Sequence, residues 1–408
     1  MANIPKIEQI IEADNDNHGF LTCGIEMEFL VPSIFKLDAD PDPDIKDQLL
    51  FTSRRYDKNL VDKDIRNQLL ETLRQLDMPF RSIDDDYFHP PHGRVVVYDS
   101  WRLGSDSTVR KNKDEDGNNP VPGPYKWTAC ELTSMVMGHD DYAPKIEEVC
   151  RVLKSIRIHL NKSTSIHIHI GLGDKPFSLI TVKKFVTLYW FLERAVFELH
   201  HPSRRNNKYS FLLTKYSNLG AKKPAVLNRE FGPIGKEGVE LMELYVPHIK
   251  SNKLRGQIRR IWGCSNVQSI AKLMGRAQDI IGEDLANGER GSIGFRRFLP
   301  AWGVGEVVGG NIQTFEWRQM SGSLDAKLIN SWIEFCLIFT DYCRLAPPLD
   351  FRNAMGEVLE GYRKCDGVTL LVSFGLDITI FEDMAEKWVE DPDFCDDDQG
   401  MDLFVPKS

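Results

Sequence analysis

The sequence predicts an α+β fold in a single domain. Three segments, 21–31, 163–171 and 311–319, alternate apolar and polar residues with the period of two that is typical of β-strands. Three other segments repeat apolar residues at spacings of three and four, as helices do when one face packs on a core. No repeat of fixed period is visible in the sequence, which excludes solenoid and propeller folds.

The composition is that of an ordinary globular protein. Of the 408 residues, 42% are hydrophobic and 27% are charged, which excludes disordered, collagen-like and disulfide-scaffold classes. A formal net charge of −9 disfavours nucleic acid as the main partner, because a phosphate backbone repels an acidic chain. The first twenty residues show no apolar signal segment, and acidic residues interrupt the most apolar stretch, 329–345. We therefore expect no membrane association.

The eight cysteines are scattered singly, with no pair at CxxC spacing. Zinc and redox sites need close spacings, so we expect reduced thiols in a cytoplasmic protein. The oligomeric state cannot be derived from the sequence, and a homodimer is the working expectation.

One domain is expected over residues 20–390, after an N-terminal extension at 1–19 and before an acidic C-terminal tail at 391–408. Two segments, 35–47 and 111–124, are rich in Asp, Pro, Asn and Gly and lack the apolar content to pack. We expect both to be surface loops within this domain, since neither is long enough to separate two domains.

The three helical segments have recognisable ends. The first carries its apolar stripe from Ile146 to Leu160. The second starts after Ser178, a residue type that caps helix N-termini, and ends near Pro202. The third carries its stripe from Leu328 to Tyr342 and ends before a Pro-Pro pair. These helices predict packing and not chemistry.

The three strands are more informative, because the polar face of each carries side chains that can bind ligands. One face of each strand is wholly apolar, as a core requires. The other faces carry Glu26 with Glu28, His167 with His169, and Glu316 with Arg318. Ordinary solvated strand faces would mix Lys, Ser, Thr and Gln, so the selection itself indicates a site.

Each pair alone has an ordinary structural explanation. Glu26 and Glu28 lie about 7 Å apart on a strand and repel without a cation, but they could also be a solvated face. The two histidines could bind one metal or substrate, or simply be hydrogen-bonded. Glu316 with Arg318 could be a salt bridge, or a metal ligand beside a clamp for a phosphoryl oxygen.

Together these strands predict a site for two or three divalent cations. Glu131 and Asp106 are further carboxylates at expected strand positions. Oxygen ligands suit Mg²⁺ or Mn²⁺, and such clusters with arginines bind ATP phosphates in phosphoryl transfer. No P-loop, strand-linked GxGxxG or GxSxG motif is present in the sequence. Arg296 and Arg297 are candidates to hold a substrate carboxylate, or are a surface basic pair.

Six blocks of sequence, in this order, resemble the amidoligase family of carboxylate–amine ligases, which is similar to glutamate–cysteine ligase and glutamine synthetase. The resemblance runs from about residue 20 to 343, with unmatched insertions near 35–94 and 211–292. The blocks are CGIEMEF, WRLGSDST, ELTSMVM, STSIHIHIG, HPSRRNNKYS and TFEWRQMSGSLDAKLINSWIEF. Two departures are Trp317, on the core face, and Met135, where the family often has proline.

The resemblance implies an antiparallel sheet curved into a funnel, with helices on its outer face and the active site on its concave face. It implies ATP and Mg²⁺ as cofactors, an acyl-phosphate intermediate, and small carboxylate and amine substrates such as amino acids or peptides. The implied metal ligands are Glu26, Glu28, Glu131, His167 and Glu316. Arg318 and an arginine of the Arg204–Arg205 pair would contact phosphates, His169 would act on substrate or on a ligand, and Asp106 would orient the amine.

Two alternatives remain open. HIHIG after a strand also resembles the first metal motif of amidohydrolases, although the later histidines needed by that barrel are not at strand ends. The chain could also be a nucleotide-binding homologue without activity, although it retains all the acidic ligands that the resemblance implies.

Overall fold

The computed structural model describes residues 19–83, 94–96, 98–111, 124–202, 204, 207, 209–277, 290–299, 306–308, 313–361, 366–377, 379 and 381–382. It has a mixed α and β architecture, with one large, mostly antiparallel sheet and twelve α-helices in this described part. The predicted α+β class is confirmed at this level.

Nine strands form the large sheet, and two more form a separate parallel pair. The eleven strands are β1 (Thr22–Phe35), β2 (Phe51–Ser53), β3 (Phe80–Ser82), β4 (Arg94–Val96), β5 (Trp101–Gly104), β6 (Lys126–Thr133), β7 (Met137–Gly138), β8 (Ser165–Gly171), β9 (Ile293–Gly294), β10 (Glu306–Val308) and β11 (Thr314–Ser321). The large sheet has the order β3-β5-β6-β1-β8-β11-β9, while β2 and β7 pair with the two ends of β1. Among the strand pairs in the described ranges, only β1–β2 and β3–β5 are parallel within this sheet.

The long strand β1 is central and fixes the register of its neighbours. Glu26 lies opposite His167 of β8, and Glu28 lies opposite Glu131 of β6. Residues directly opposite one another in an antiparallel pair project from the same face. The polar residues predicted on separate strands therefore share one face, which we call the polar face.

The opposite face of the sheet is the core. Ile25, Met27 and Phe29 of β1 are fully buried there, as are Phe315 and Trp317 of β11. The observed strands extend the predicted segments by a few residues at some ends and shorten them at others, but their inward faces are as predicted. The bulky Trp317 is fully buried and packs edge-on against Trp332 and Phe339, while its indole N–H has no hydrogen-bond partner among the described residues.

Helices cover this core face. The helices are α1 (Lys58–Leu73), α2 (Tyr142–Lys154), α3 (Leu179–Glu198), α4 (Leu213–Tyr216), α5 (Asn218–Ala221), α6 (Pro224–Phe231), α7 (Lys236–Tyr245), α8 (Asn252–Trp262), α9 (Val267–Met274), α10 (Ala326–Leu345), α11 (Pro348–Gly361) and α12 (Gly367–Ser373). Phe185 of α3 stacks on Phe315, with ring centroids 3.8 Å apart, and Phe339 of α10 packs edge-on against Trp317.

The three predicted helices are α2, α3 and α10. Ser178 caps α3 as predicted, and its hydroxyl accepts a hydrogen bond of 3.1 Å from the Thr181 backbone N–H. The α2 stripe is buried at Ile146, Val149 and Leu153. No helix in the described ranges is long and apolar enough to cross a membrane. The six cysteines described are all free thiols.

The acidic loop at 35–47 lies at the surface, as predicted, and Arg157 ties it down. The buried Arg157 guanidinium donates two hydrogen bonds of 2.7 Å to the carboxylate of Asp40. It also donates to the carbonyls of Asp42 and Ile45. The loop is thus fixed over one end of the sheet near Tyr125. Most of the second predicted loop, 111–124, lies outside the described residues, which exclude 112–123.

Candidate active site

Glu26, His167 and Glu316 form one group of ligand side chains on the polar face. Each offers an atom within 4.8 Å of the others. His167 Nδ1 lies 2.9 Å from Glu26 Oε2 and 3.8 Å from Glu316 Oε1. The three residues come from adjacent strands β1, β8 and β11, so the sheet register creates this group. We call it the first triad.

Glu28, Asp106 and Glu131 form the second triad, again with ligand atoms within 4.8 Å of one another. Glu28 and Glu131 face each other across β1 and β6. Asp106 lies in the turn after β5 and not in a strand, and its carboxylate accepts a hydrogen bond of 2.5 Å from the Thr108 N–H. The turn returns its side chain to the sheet, which explains how a residue outside the strand reaches the site.

Ser165 and His167 connect the two triads. The Ser165 hydroxyl lies 2.5 Å from Glu28 Oε2, to which it donates, and 2.9 Å from His167 Nε2. His167 therefore has a carboxylate at one ring nitrogen and a hydroxyl at the other. Because these partners fix the orientation of the ring, each ring nitrogen faces a defined side of the site before a ligand binds.

His169 lies on the same face, one step further along β8. Its Nδ1 is 3.1 Å from the hydroxyl of Thr314, and its Nε2 is 3.1 Å from Glu26 Oε1. The second approach is close but lacks hydrogen-bond geometry, so this buried ring nitrogen has no hydrogen-bond partner among the described residues. Such a nitrogen is costly to bury and is suited to a ligand.

Arg318 lies where β11 bulges away from β8. The pairing register shifts between Trp317 and Met320, which inserts one extra residue and redirects the side chains there. The Arg318 guanidinium donates to the Tyr209 carbonyl at 2.9 Å and to the carboxylate of Glu316. The site thus contains a buried, planar cation beside the first triad.

The charges in the site are unevenly compensated. Burial alone would raise the pKa of Glu26, but His169 and His167 hold it well below its ordinary value. Burial would also raise the pKa of Glu316, but Arg318 and His169 lower it below its ordinary value. In contrast, burial and the neighbouring carboxylates raise the pKa of Glu131 well above its ordinary value. The negative charges of the second triad are therefore less compensated by neighbouring positive groups than those of the first triad.

An open pocket adjoins the first triad at the start of β1. Its lining includes Glu26 and His169 on one side and Tyr98 and Arg297 on the other. The Arg297 guanidinium lies 5.4 Å from the centre of the Tyr98 ring and donates to the Tyr98 hydroxyl. Burial would lower the pKa of Arg297, but Tyr98, Glu26 and Glu316 raise it. A positive charge is therefore fixed on the pocket wall.

The arginines that the sequence predicts for the site lie in different environments. Arg296, next to Arg297 on a short 3₁₀ turn at Arg296–Phe298, is exposed and does not contribute to the lining of this pocket. Arg204 is buried and donates a hydrogen bond of 2.8 Å to the Arg318 carbonyl, which supports the bulge. Arg205 lies outside the described residues.

Sequence reasoning missed several residues of the polar face. Arg102 of β5 lies opposite Thr133 and is buried on this face. The alternation of Trp101, Arg102 and Leu103 could have indicated it, because two apolar residues flank one charge. Tyr98 precedes a strand and has no periodic signal, so only the folded chain places it in the pocket.

The donor set fits divalent cations. Each triad supplies carboxylate oxygens, and the first adds an imidazole nitrogen, a combination suited to Mg²⁺ or Mn²⁺. The two groups of ligand atoms, each within 4.8 Å, and the carboxylates that face each other at Glu28 and Glu131 are the observations that support this fit.

Residues 21–217 match the family model described as "Putative amidoligase enzyme". This match confirms the family resemblance over that segment, which includes β1, β5, β6 and β8 with both triads except Glu316. A search of curated protein sequences gives no match to the chain. The β11 residues Glu316 and Arg318 lie beyond the matched range; Glu316 pairs with His169 of β8, and Arg318 lies in the adjacent bulge.

Proposed function

We propose that the protein is an ATP-dependent ligase that joins a carboxylate to an amine. The γ-phosphoryl group is transferred to a carboxylate oxygen of one substrate, which gives an acyl phosphate and ADP. The amine of the second substrate then attacks the acyl carbon, forms the C–N bond and expels phosphate. Amino acids or small peptide-like molecules are the proposed substrates.

The observation that carries this proposal is the pairing of two ligand triads on one polar face with a buried arginine beside them. Phosphoryl transfer requires little covalent chemistry from a protein and much positive charge around phosphate oxygens. The amidoligase match over residues 21–217 favours the same class of reaction. The finer arrangement, a sheet curved into a funnel with the site on its concave face, is part of the proposal.

The first triad, Glu26, His167 and Glu316, and the second, Glu28, Asp106 and Glu131, would each hold a divalent cation. Bound Mg²⁺ would neutralise and orient the phosphates of ATP. Asp106 is grouped with the carboxylates in distance, so we assign it to the ligand set in preference to its predicted role of orienting the amine.

Arg318 would bind a phosphoryl oxygen through its planar fork. Its Nε is fixed by the Tyr209 carbonyl, so the orientation of the guanidinium plane is set by the main chain. His169, which lines the pocket with its Nε2 3.1 Å from Glu26 Oε1, is proposed to contact substrate. Phosphate contacts by Arg204 or Arg205 stay a prediction, and the main-chain contact of Arg204 gives it a supporting role as well.

The test is release of ADP and phosphate from purified protein with ATP and Mg²⁺, against pooled amino acids and small carboxylates. The proposal predicts release that requires both a carboxylate and an amine and that is lost in Glu316→Ala. Amide hydrolysis without ATP would instead support the hydrolase, although β8 lies between antiparallel neighbours and not in a parallel barrel. ATP binding without ADP release from any pool would support the non-catalytic alternative.

A further inference from the structure

The pocket beside the first triad has a floor of bare backbone. Gly24 lies between Thr22 and Glu26 on the polar face, and it lines the pocket together with Gly171. The space within the pocket measures about 490 Å³, its open mouth included.

Packing of the described chain does not require a glycine at position 24. A Cβ built there would meet the Ser134 hydroxyl at 3.6 Å and the His169 Cβ at 3.9 Å, which are ordinary van der Waals distances. Gly294 is a contrast, since its Cβ would meet a Glu316 carboxylate oxygen at only 2.4 Å. Glycine inside a strand costs about 0.5–1 kcal/mol relative to alanine. The glycine at position 24 thus leaves this part of the pocket floor without a side chain.

One side of the pocket is apolar and rigid. Met135 and Val136 follow β6 and line the pocket beside Tyr98. The Val136 N–H donates a hydrogen bond of 3.0 Å to the Tyr98 carbonyl, so the two wall segments are joined. Val136 remains 39% exposed, which leaves apolar surface available at the mouth. An apolar group of a ligand would cover it.

Arg297 provides the polar anchor on the same wall. Its guanidinium is held against the Tyr98 ring and hydroxyl, so its orientation is fixed while it lines the pocket. A planar guanidinium matches a carboxylate through two parallel hydrogen bonds. The anchor, the apolar wall and the glycine floor therefore define one ligand chemistry.

We propose that this pocket binds a substrate that carries a free carboxylate and a compact apolar side chain, with the carboxylate on Arg297 and the side chain over Gly24 against Met135 and Val136. The inference rests on the proposed function for the role of the neighbouring triads, but binding itself needs no ATP. L-leucine is the probe, because it carries both groups on a small molecule.

The experiment is calorimetric titration of the full chain with L-leucine, L-leucinamide and L-glutamate, without ATP and with Mg²⁺. Leucine should bind about tenfold more tightly than leucinamide, which lacks the carboxylate, and more tightly than glutamate, which lacks the apolar group. Arg297→Gln should weaken leucine binding about tenfold and leave leucinamide binding unchanged. Arg296→Gln, which alters the exposed neighbour, should bind leucine as the wild type does.

Gly24→Val should abolish leucine binding by filling the floor, and Gly24→Ala should fold with a melting temperature at or slightly above that of the wild type and bind more weakly. Equal binding of leucine and leucinamide, undiminished binding in Arg297→Gln, or preference for glutamate would overturn the proposal. ADP release with substrates that lack an apolar group, in a protein that does not bind leucine, would overturn this pocket and leave the ligase function standing. Leucine binding without ADP release from any substrate pool would support this pocket and overturn the ligase function.

Discussion

Glu28 and Glu131 lie directly opposite one another on the polar face, at neighbouring positions of β1 and β6. Like charges in this position destabilise a sheet. Asp106 adds a third carboxylate within 4.8 Å, and burial together with these neighbours raises the pKa of Glu131. The fold therefore accepts a local cost that a bound cation would remove.

We expect Glu131→Gln to stabilise the metal-free protein by roughly 1 kcal/mol and to weaken metal binding. The folded-state pKa of Glu131 is raised, so wild-type stability falls as pH rises through that pKa, while the glutamine variant escapes this loss. The gap in melting temperature between the two proteins should widen with pH. Scanning calorimetry in EDTA and in Mn²⁺, at several pH values, measures both effects.

Glu148→Gln is the matched control, because Glu148 is an exposed glutamate on α2 that pairs only with a neighbouring arginine on that helix in the described contacts. It should change neither the metal-free stability nor the shift caused by Mn²⁺. If Glu131→Gln gained as much stability from Mn²⁺ as the wild type does, Glu131 would not be a ligand.

In the first triad, we expect Glu26→Ala and Glu316→Ala each to abolish turnover and leave a folded protein with a cooperative melt. Each change removes one ligand that the remaining two residues cannot replace. ADP release and a thermal melt of the same preparations are the measurements. Activity near the wild-type level in either variant would refute the assignment of that residue.

The grouping of side chains in the candidate site was largely predictable because strand alternation separates the two faces of a sheet. The period of two places Glu26 with Glu28 and His167 with His169, whatever the neighbours of each strand. Full burial of Ile25 and Ile168 on the other side confirms the assignment of faces. Alternation does not specify which strands are neighbours, however, so it could not predict that the ligand side chains form two triads.

Residues outside the regular strands could not be predicted in the same way. Arg297 lines the pocket and Arg296 does not, although the two are adjacent on one 3₁₀ turn, because the Arg297 guanidinium is held by Tyr98 from a distant segment. Arg204 belongs to a basic pair that is typical of a surface, but it is buried against the main chain of Arg318. Both outcomes depend on contacts between segments distant in sequence.

The Arg157–Asp40 pair allows a prediction about stability. Asp40→Asn should destabilise the protein by roughly 3 kcal/mol at neutral pH, because it leaves the buried Arg157 without its counter-charge. The Arg157 hydrogen bonds hold the pKa of Asp40 below its ordinary value, so the contribution is present above the unfolded-state pKa. It is lost as pH falls through the folded-state pKa.

Chemical denaturation of wild type and Asp40→Asn across the acid range measures this difference. The two stabilities should converge at the lowest pH. Asp38→Asn, on the same exposed loop, is the control and should follow the wild type throughout. A gap that stayed constant into strong acid would show that the pair contributes through packing and not through charge.

Arg318→Lys should fold but lose most of its turnover. A lysine ammonium is a point charge and cannot reproduce the fork that joins the Tyr209 carbonyl to the carboxylate of Glu316. The measurements are ADP release at saturating ATP and the melting temperature. Turnover within about twofold of the wild type would reduce Arg318 to a structural salt bridge, since a charge alone would then suffice.

Ser165→Ala tests whether the link between the triads orients their ligands. The hydroxyl donates to Glu28 and lies 2.9 Å from His167 Nε2, so its removal frees the ring and one carboxylate oxygen without deleting a ligand. Changes of this kind weaken metal affinity by about 10- to 100-fold. We expect a weaker Mn²⁺ dissociation constant, and turnover that recovers toward the wild-type level at high Mn²⁺. Ser165→Thr, which keeps the hydroxyl, should restore affinity if the hydrogen bond is the cause. Loss of turnover that excess Mn²⁺ cannot reverse, with unchanged Mn²⁺ affinity, would instead place Ser165 in the chemical step.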